Sequence, residues 1–133
     1  MTNSRFGVGT TSPSYKFHVN GNVSGVSIYA SDDIMAFSDR RVKGDIQKVE
    51  DAINKINQIN GVTFTRLDAD KDNLHRHAGV IAQEVEAILP EVVHTDAKTG
   101  FKSVAYGNLN ALLIEAIKEL SKKVKDLENK LDK

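Results

Sequence analysis

The C-terminal end of the chain restricts its possible folds more than any other stretch. Leu113, Ile117, Leu120, Val124, Leu127 and Leu131 follow one another at intervals of 4, 3, 4, 3 and 4 residues. Such spacing puts every one of them on a single seam of one long helix, expected over residues 108–133, with Asn108 as its N-cap. An apolar a/d seam of nearly three heptads asks for a partner helix. With Ile117, Val124 and Leu131 at a, Lys123 falls at g and Glu128 at the following e, a pair that attracts across a parallel interface. Leu112, Ile114 and Ala116 widen the apolar stripe at its start. A wider stripe suits three or more chains, or docking against the chain's own body. Two readings therefore stand: parallel self-association, favoured because the seam runs to the end of the chain, and a single amphipathic helix folded back.

Composition narrows the function classes. The 133 residues carry 18 Lys and Arg against 18 Asp and Glu, so the basic excess of a nucleic-acid or anionic-membrane binder is missing. Without cysteine, disulfides, thiolate zinc sites and cysteine nucleophiles are excluded. No apolar run approaches the roughly 20 residues of a membrane span, and the first residues do not read as a secretory signal. No cofactor is called for.

Upstream of the helix the chain divides again. Residues 1–37 hold four of the nine glycines and short alternating runs such as Tyr15-Lys16-Phe17-His18-Val19, with turns at Asn20-Gly21 and Ser24-Gly25. They read as part of a larger β assembly; a disordered tail is the alternative. Residues 38–107 read as a compact α+β unit. Apolar positions 49, 52, 53, 56 and 59 predict a helix from Val49 to Ile59, ended by Asn60-Gly61. Val62–Leu67 predicts a strand, Ala78–Ala82 a second, buried one, and Gln83–Leu89 a short helix stopped by Pro90. Val92–His94 and Lys102–Tyr106 predict a hairpin across Lys98-Thr99-Gly100. The fold class is thus α+β: a small β-rich body with short helices, a long C-terminal helix forming a parallel coiled coil, and a β-rich N-terminal end.

Few residues suggest chemistry. The loop Asp68-Ala69-Asp70-Lys71-Asp72-Asn73 opens like a calcium loop, but its sixth position is Asn73 and its twelfth Gly79, so a solvated turn is the better reading. His75 and His77 lack a third ligand at metal spacing, and no metal site is expected. Ser38 and Lys43 remain. A serine hydroxyl is a weak nucleophile until a base takes its proton. Lysine is that base only when neutral, which burial or a neighbouring cation such as Arg40 or Arg41 favours and Asp39 opposes. A spacing of five is awkward: opposite faces on a strand, about 140° apart on a helix. A dyad therefore needs a bend between the two residues, or a contact between subunits. A plain solvated connection is the other reading of this stretch.

Taken in order, Ser38-Asp39-Arg40-Arg41-Val42-Lys43, Gly79-Val80-Ile81-Ala82-Gln83-Glu84-Val85, Leu89-Pro90-Glu91-Val92-Val93, Lys102-Ser103-Val104-Ala105-Tyr106 and the Leu-rich helix resemble the C-terminal intramolecular chaperone domain of bacteriophage tailspikes, tail fibres and neck appendages, the peptidase S74 family. The resemblance covers about residues 36–133. The stretch Gly7–Gly21 is similar to the end of a phage fibre.

The resemblance implies a homotrimeric chaperone, residues 38–133 with 108–133 as its coiled coil, which folds the upstream fibre segment of the same chains and then cuts itself off. It implies Ser38 as nucleophile, Lys43 as general base, cleavage between Phe37 and Ser38, and Leu113, Ile117, Leu120, Val124, Leu127 and Leu131 at the trimer interface. Arg40 and Arg41 are candidates for oxyanion stabilisation or tuning of the lysine. The family more often has leucine where this chain has Val42. The fibre part is expected in the virion tail, and the chaperone in the host cytoplasm until released. No nucleic acid, membrane or small-molecule substrate is expected. Two alternatives are a non-cleaving trimerisation module that stays as a structural cap, and a coiled-coil adaptor or membrane-tethered regulator built on the same module.

Overall fold

A computed structural model describes residues 4–25, 27–68 and 75–132. The calcium-like loop falls mostly outside these residues: Asp68 is described, and its carboxylate pairs with the Arg66 guanidinium. The chain forms two compact units, residues 1–44 and 45–133.

In the first unit, β1 (Phe6–Val8) and β2 (Phe17–Val19) pair in parallel, Phe6 opposite Phe17 and Val8 opposite Val19. The two phenylalanine rings stack with centroids 5.8 Å apart and planes 4° from parallel. Parallel neighbours are usually joined by a dozen residues or more; here residues 9–16 suffice. Gly9 makes this possible. Its φ is +69°, and a Cβ there would lie 2.6 Å from the Asn20 carbonyl oxygen. Among the described residues of the stretch 1–37, which was expected to be β-rich, β1 and β2 are the strands. From residue 20 to 39 the described residues hold no strand and are exposed. A strand is stabilised by a partner edge, and a single chain supplies none here.

The second unit holds the core: Ala52, Val85, Leu89, Val92, Leu112 and Ala116, flanked by Val49, Ile53, Ile56, Ile59, Val80, Val93, Val104 and Leu109. The expected helix over Val49–Ile59 shortens to α1, Ala52–Ile56. Asp51, immediately before it, sits in the left-handed region at φ 53°, which breaks the helix without turning the apolar spacing away from the core. β3 (Gly61–Phe64) pairs antiparallel with β4 (His77–Val80). The expected second strand thus runs His77–Val80, and it is only half-buried because its sheet has two strands. α2 spans Ala82–Ile88, and Pro90 opens a single 3-10 turn to Val92. β5 (Val93–Thr95) and β6 (Lys102–Val104) form the expected hairpin. Its turn is fastened by Asp96 Oδ1, which accepts hydrogen bonds from the Thr99 and Lys98 N–H groups at 2.7 and 3.1 Å.

A 3-10 turn, Tyr106–Leu109, precedes α3, Asn110–Leu131. The helix therefore begins two residues later than expected, and Leu109 rather than Asn108 takes the N-cap position. Its start packs on α1 through Leu112 and Ala116, both buried. The same helix reaches α1 with a carboxylate. Glu119 accepts the Ala52 and Ile53 N–H groups at 2.9 and 3.0 Å, satisfying donors that a helix N-terminus leaves open. One turn earlier, Glu115 lies 3.1 Å from Lys48 Nζ and 2.7 Å from Lys118 Nζ. The overall class is α+β.

Candidate functional site

Local chemistry builds the segment that carries Ser38 and Lys43. Asp39 has an extended backbone, φ −62° and ψ 136°, and caps a single 3-10 turn over Arg40–Val42. Its Oδ1 accepts the Arg41 N–H at 2.8 Å. Two backbone bonds close the turn, Val42 N–H to the Asp39 carbonyl at 3.2 Å and Lys43 N–H to the Arg40 carbonyl at 3.1 Å. Lys43 then returns to extended backbone. A strand or a continuous helix would keep side chains five apart on different faces. The turn reverses the chain between them, and Lys43 Nζ donates a hydrogen bond to Ser38 Oγ at 2.8 Å.

The two arginines behave differently. Arg41 folds back on Asp39, its Nε 3.0 Å from Oδ1 and its Nη2 2.7 Å from Oδ2. This bidentate pair holds the Asp39 carboxyl below its usual range, the Arg41 side chain being the larger cause and its backbone N–H the second. Asp39 in turn raises Arg41 further above its already high value. Arg40 is exposed.

Ser38 and Lys43 are both open to solvent on this chain, and apolar side chains around them are too. Phe37 is 94% exposed, Met35 88% and Val42 72%.

The seam of α3 is uncovered as well. Leu113, Ile117, Leu120, Val124, Leu127 and Leu131 are each between 42% and 85% exposed. The widened stripe thus divides: Leu112 and Ala116 serve the chain's own core, while the heptad positions point away from it. The His75 and His77 rings lie with centroids 4.0 Å apart and planes tilted by 44°, and His77 also stacks on Phe64. Among the described residues no three His, Cys, Asp or Glu side chains gather as a metal site would require.

Two sequence motifs meet in the body. The Tyr106 hydroxyl lies over β4, accepting the Val80 N–H at 3.3 Å, and a Cβ on Gly79 would stand 2.4 Å from it. Sequence reasoning had no signal for this pairing, or for Glu119, whose contacts with α1 span more than 60 residues. Asp39 as the cap of the turn was also missed, although an acidic residue ahead of a short helical turn is a readable signal.

Residues 38–94 match the peptidase S74 family, described as chaperone of endosialidase, beginning at Ser38 itself. The chain carries a domain of this family. Its relatives include the long tail fibre protein Gp37 of Enterobacteria phage K3, 32% identical over 83% of this chain and 9% of the relative. The Gp37 of Enterobacteria phage M1 is 31% identical over 88% of this chain and 49% of the relative. A third is the myelin gene regulatory factor-like A protein of Dictyostelium discoideum, 30% identical over 97% of this chain and 15% of the relative. The chain thus spans at most about half the length of these proteins. No helix among the described residues is long and apolar enough to cross a membrane.

Proposed function

We propose that three copies of this chain associate through α3, bring residues 1–37 into register as the end of a tail fibre, and release residues 38–133 by cutting the Phe37–Ser38 bond. The observation that carries this reading is the 2.8 Å contact between Lys43 Nζ and Ser38 Oγ, at the residue where the family match begins. The exposed a/d seam supports assembly, since six large apolar side chains on one stripe are stable in water only when covered. Three intertwined β segments must meet in one register, and non-local pairing is slow and prone to error. A C-terminal module that holds three chains together raises their effective concentration. Its removal makes the folded fibre kinetically one-way.

In the proposed chemistry, neutral Lys43 accepts the hydroxyl proton as Ser38 Oγ attacks the carbonyl carbon of Phe37. The C–O bond forms, the C–N bond breaks, and Lys43 passes the proton to the α-nitrogen of Ser38. Water then hydrolyses the ester, leaving a Phe37 carboxylate and restoring the Ser38 hydroxyl. Because the nucleophile adjoins the bond it cuts, no substrate pocket is required. Arg41 is engaged with Asp39, so Arg40 is the better candidate for stabilising the oxyanion.

Lysine acts as a base only when desolvation or a like charge makes the amine neutral. On one chain the pair is exposed, so a neighbouring copy covering Met35, Phe37 and Val42 would supply that desolvation. Cutting is thereby tied to assembly. Mass spectrometry of the purified chain tests the reading. The expected result is a fragment of residues 38–133 from the wild type and none from Ser38→Ala or Lys43→Ala. A wild-type chain that assembles but stays whole would favour the non-cleaving structural cap.

A further inference from the structure

The contact between Ser38 and Lys43 depends on a turn of only three residues, and such turns are marginal by themselves. Its first N–H groups have no partner within the turn. One side chain makes up the deficit. Asp39 Oδ1 accepts the Arg41 N–H at 2.8 Å, and both its oxygens hold the Arg41 guanidinium, at 3.0 and 2.7 Å. We infer that Asp39 is a positioning residue for the Ser38–Lys43 pair, closing the Arg40–Val42 turn so that the amine meets the hydroxyl. This inference rests on the dyad reading above.

The direction in which Asp39 points matters as much as the cap. A free carboxylate beside a lysine favours the charged amine and would oppose its use as a base. Here both carboxylate oxygens are engaged by Arg41, so the acid that shapes the turn is neutralised by a guanidinium two residues away. Arg41 thus serves by occupying Asp39. Asp39 touches neither the scissile bond nor its attacking oxygen, and its effect is on geometry. Misplacing a reacting group by about 1 Å can cost roughly a hundred-fold in rate.

The test compares the full chain with Asp39→Ala, Asp39→Ser and Asp39→Asn, following the 38–133 fragment over time by mass spectrometry. Asp39→Ala removes the cap and the ion pair, and is expected to slow cleavage by about ten- to a hundred-fold. Serine and asparagine keep an oxygen for the Arg41 N–H and are expected to recover most of the rate. Amide hydrogen exchange over residues 38–43, measured with Ser38→Ala so that the chain stays whole, reads the turn independently. Adding Asp39→Ala should speed exchange at Arg41, while Asp39→Ser should not. Wild-type cleavage by Asp39→Ala, failure of serine and asparagine to recover the rate, or unchanged exchange in the alanine variant would each overturn the inference while leaving the dyad reading intact. Cleavage that persists in Ser38→Ala and Lys43→Ala, or a wild type that never cuts, would remove the dyad reading and this inference with it.

Discussion

Residues 4–44 and 45–132 are held together by different means. The six buried side chains of the described residues all lie between Ala52 and Ala116, and none belongs to the first unit. The first unit has two three-residue strands, one stacked ring pair and a capped turn. Yet that unit contains Ser38 and Lys43. Buried packing and candidate chemistry are thus written in separate parts of the chain, and a substitution at Ser38 or Lys43 should leave the stability of the second unit nearly unchanged.

The largest effect expected is all-or-none. Ser38→Ala and Lys43→Arg should abolish the 38–133 fragment, read by mass spectrometry, while the thermal midpoint of the uncut chain moves by little, because both residues are exposed. A midpoint that falls steeply would show that the two parts are not separable. Next come changes to the seam. Leu120→Asp combined with Leu127→Asp should convert the proposed assembly of three chains to single chains in light scattering, with far-ultraviolet helicity largely kept, since these positions lie outside the core. If the double variant sediments as the wild type does, α3 is not the assembly surface.

Leu112 stands one residue from the seam and has the opposite role. It is 0% exposed, and Leu112→Ala should cost about 2–5 kcal/mol in denaturant unfolding. The contrast between Leu112 and Leu120 is the sharpest check on which face of α3 belongs to which task.

The smallest effect concerns the Glu119 clamp. The Ile53 N–H, then the Ala52 N–H, hold the Glu119 carboxyl below its ordinary range in the folded chain. Lys118, then Lys48, do the same for Glu115. The folded state then binds fewer protons than the unfolded one. The stability these groups contribute is full above the ordinary carboxylate range and is lost as pH falls through the lowered values. Thermal melts should show the wild type losing stability on acidification, and Glu119→Gln starting a few degrees lower with a flatter acid limb. An acid limb unchanged in Glu119→Gln would remove Glu119 from this account.

How much was legible from sequence follows the range of the interaction. The hairpin across Lys98-Thr99-Gly100, the helix stopped by Pro90 and the inward turn of residues 49, 52, 53, 56 and 59 are local patterns, and the structure contains them. The limits of α1 were not legible, because the left-handed Asp51 and the cap from Glu119 outweigh periodicity at its start. At the candidate site, Ser38 and Lys43 could be named, but their spacing required a bend or a neighbouring subunit and did not say which. The Asp39 cap on the 3-10 turn supplies the bend, and it was missed because Asp39 was weighed only as a charge.

The sequence by itself determined that this chain carries a heptad seam, a small α+β body and a serine–lysine stretch upstream of it, because all three are patterns repeated over a few neighbouring residues. Only the tertiary structure decided that Leu112 and Ala116 leave that apolar stripe to join the core, that Glu119 starts a helix far from it in sequence, and that Lys43 reaches Ser38. Those outcomes depend on which surfaces compete for the same apolar groups and which backbone donors lack partners, and neither is fixed until the chain has closed on itself.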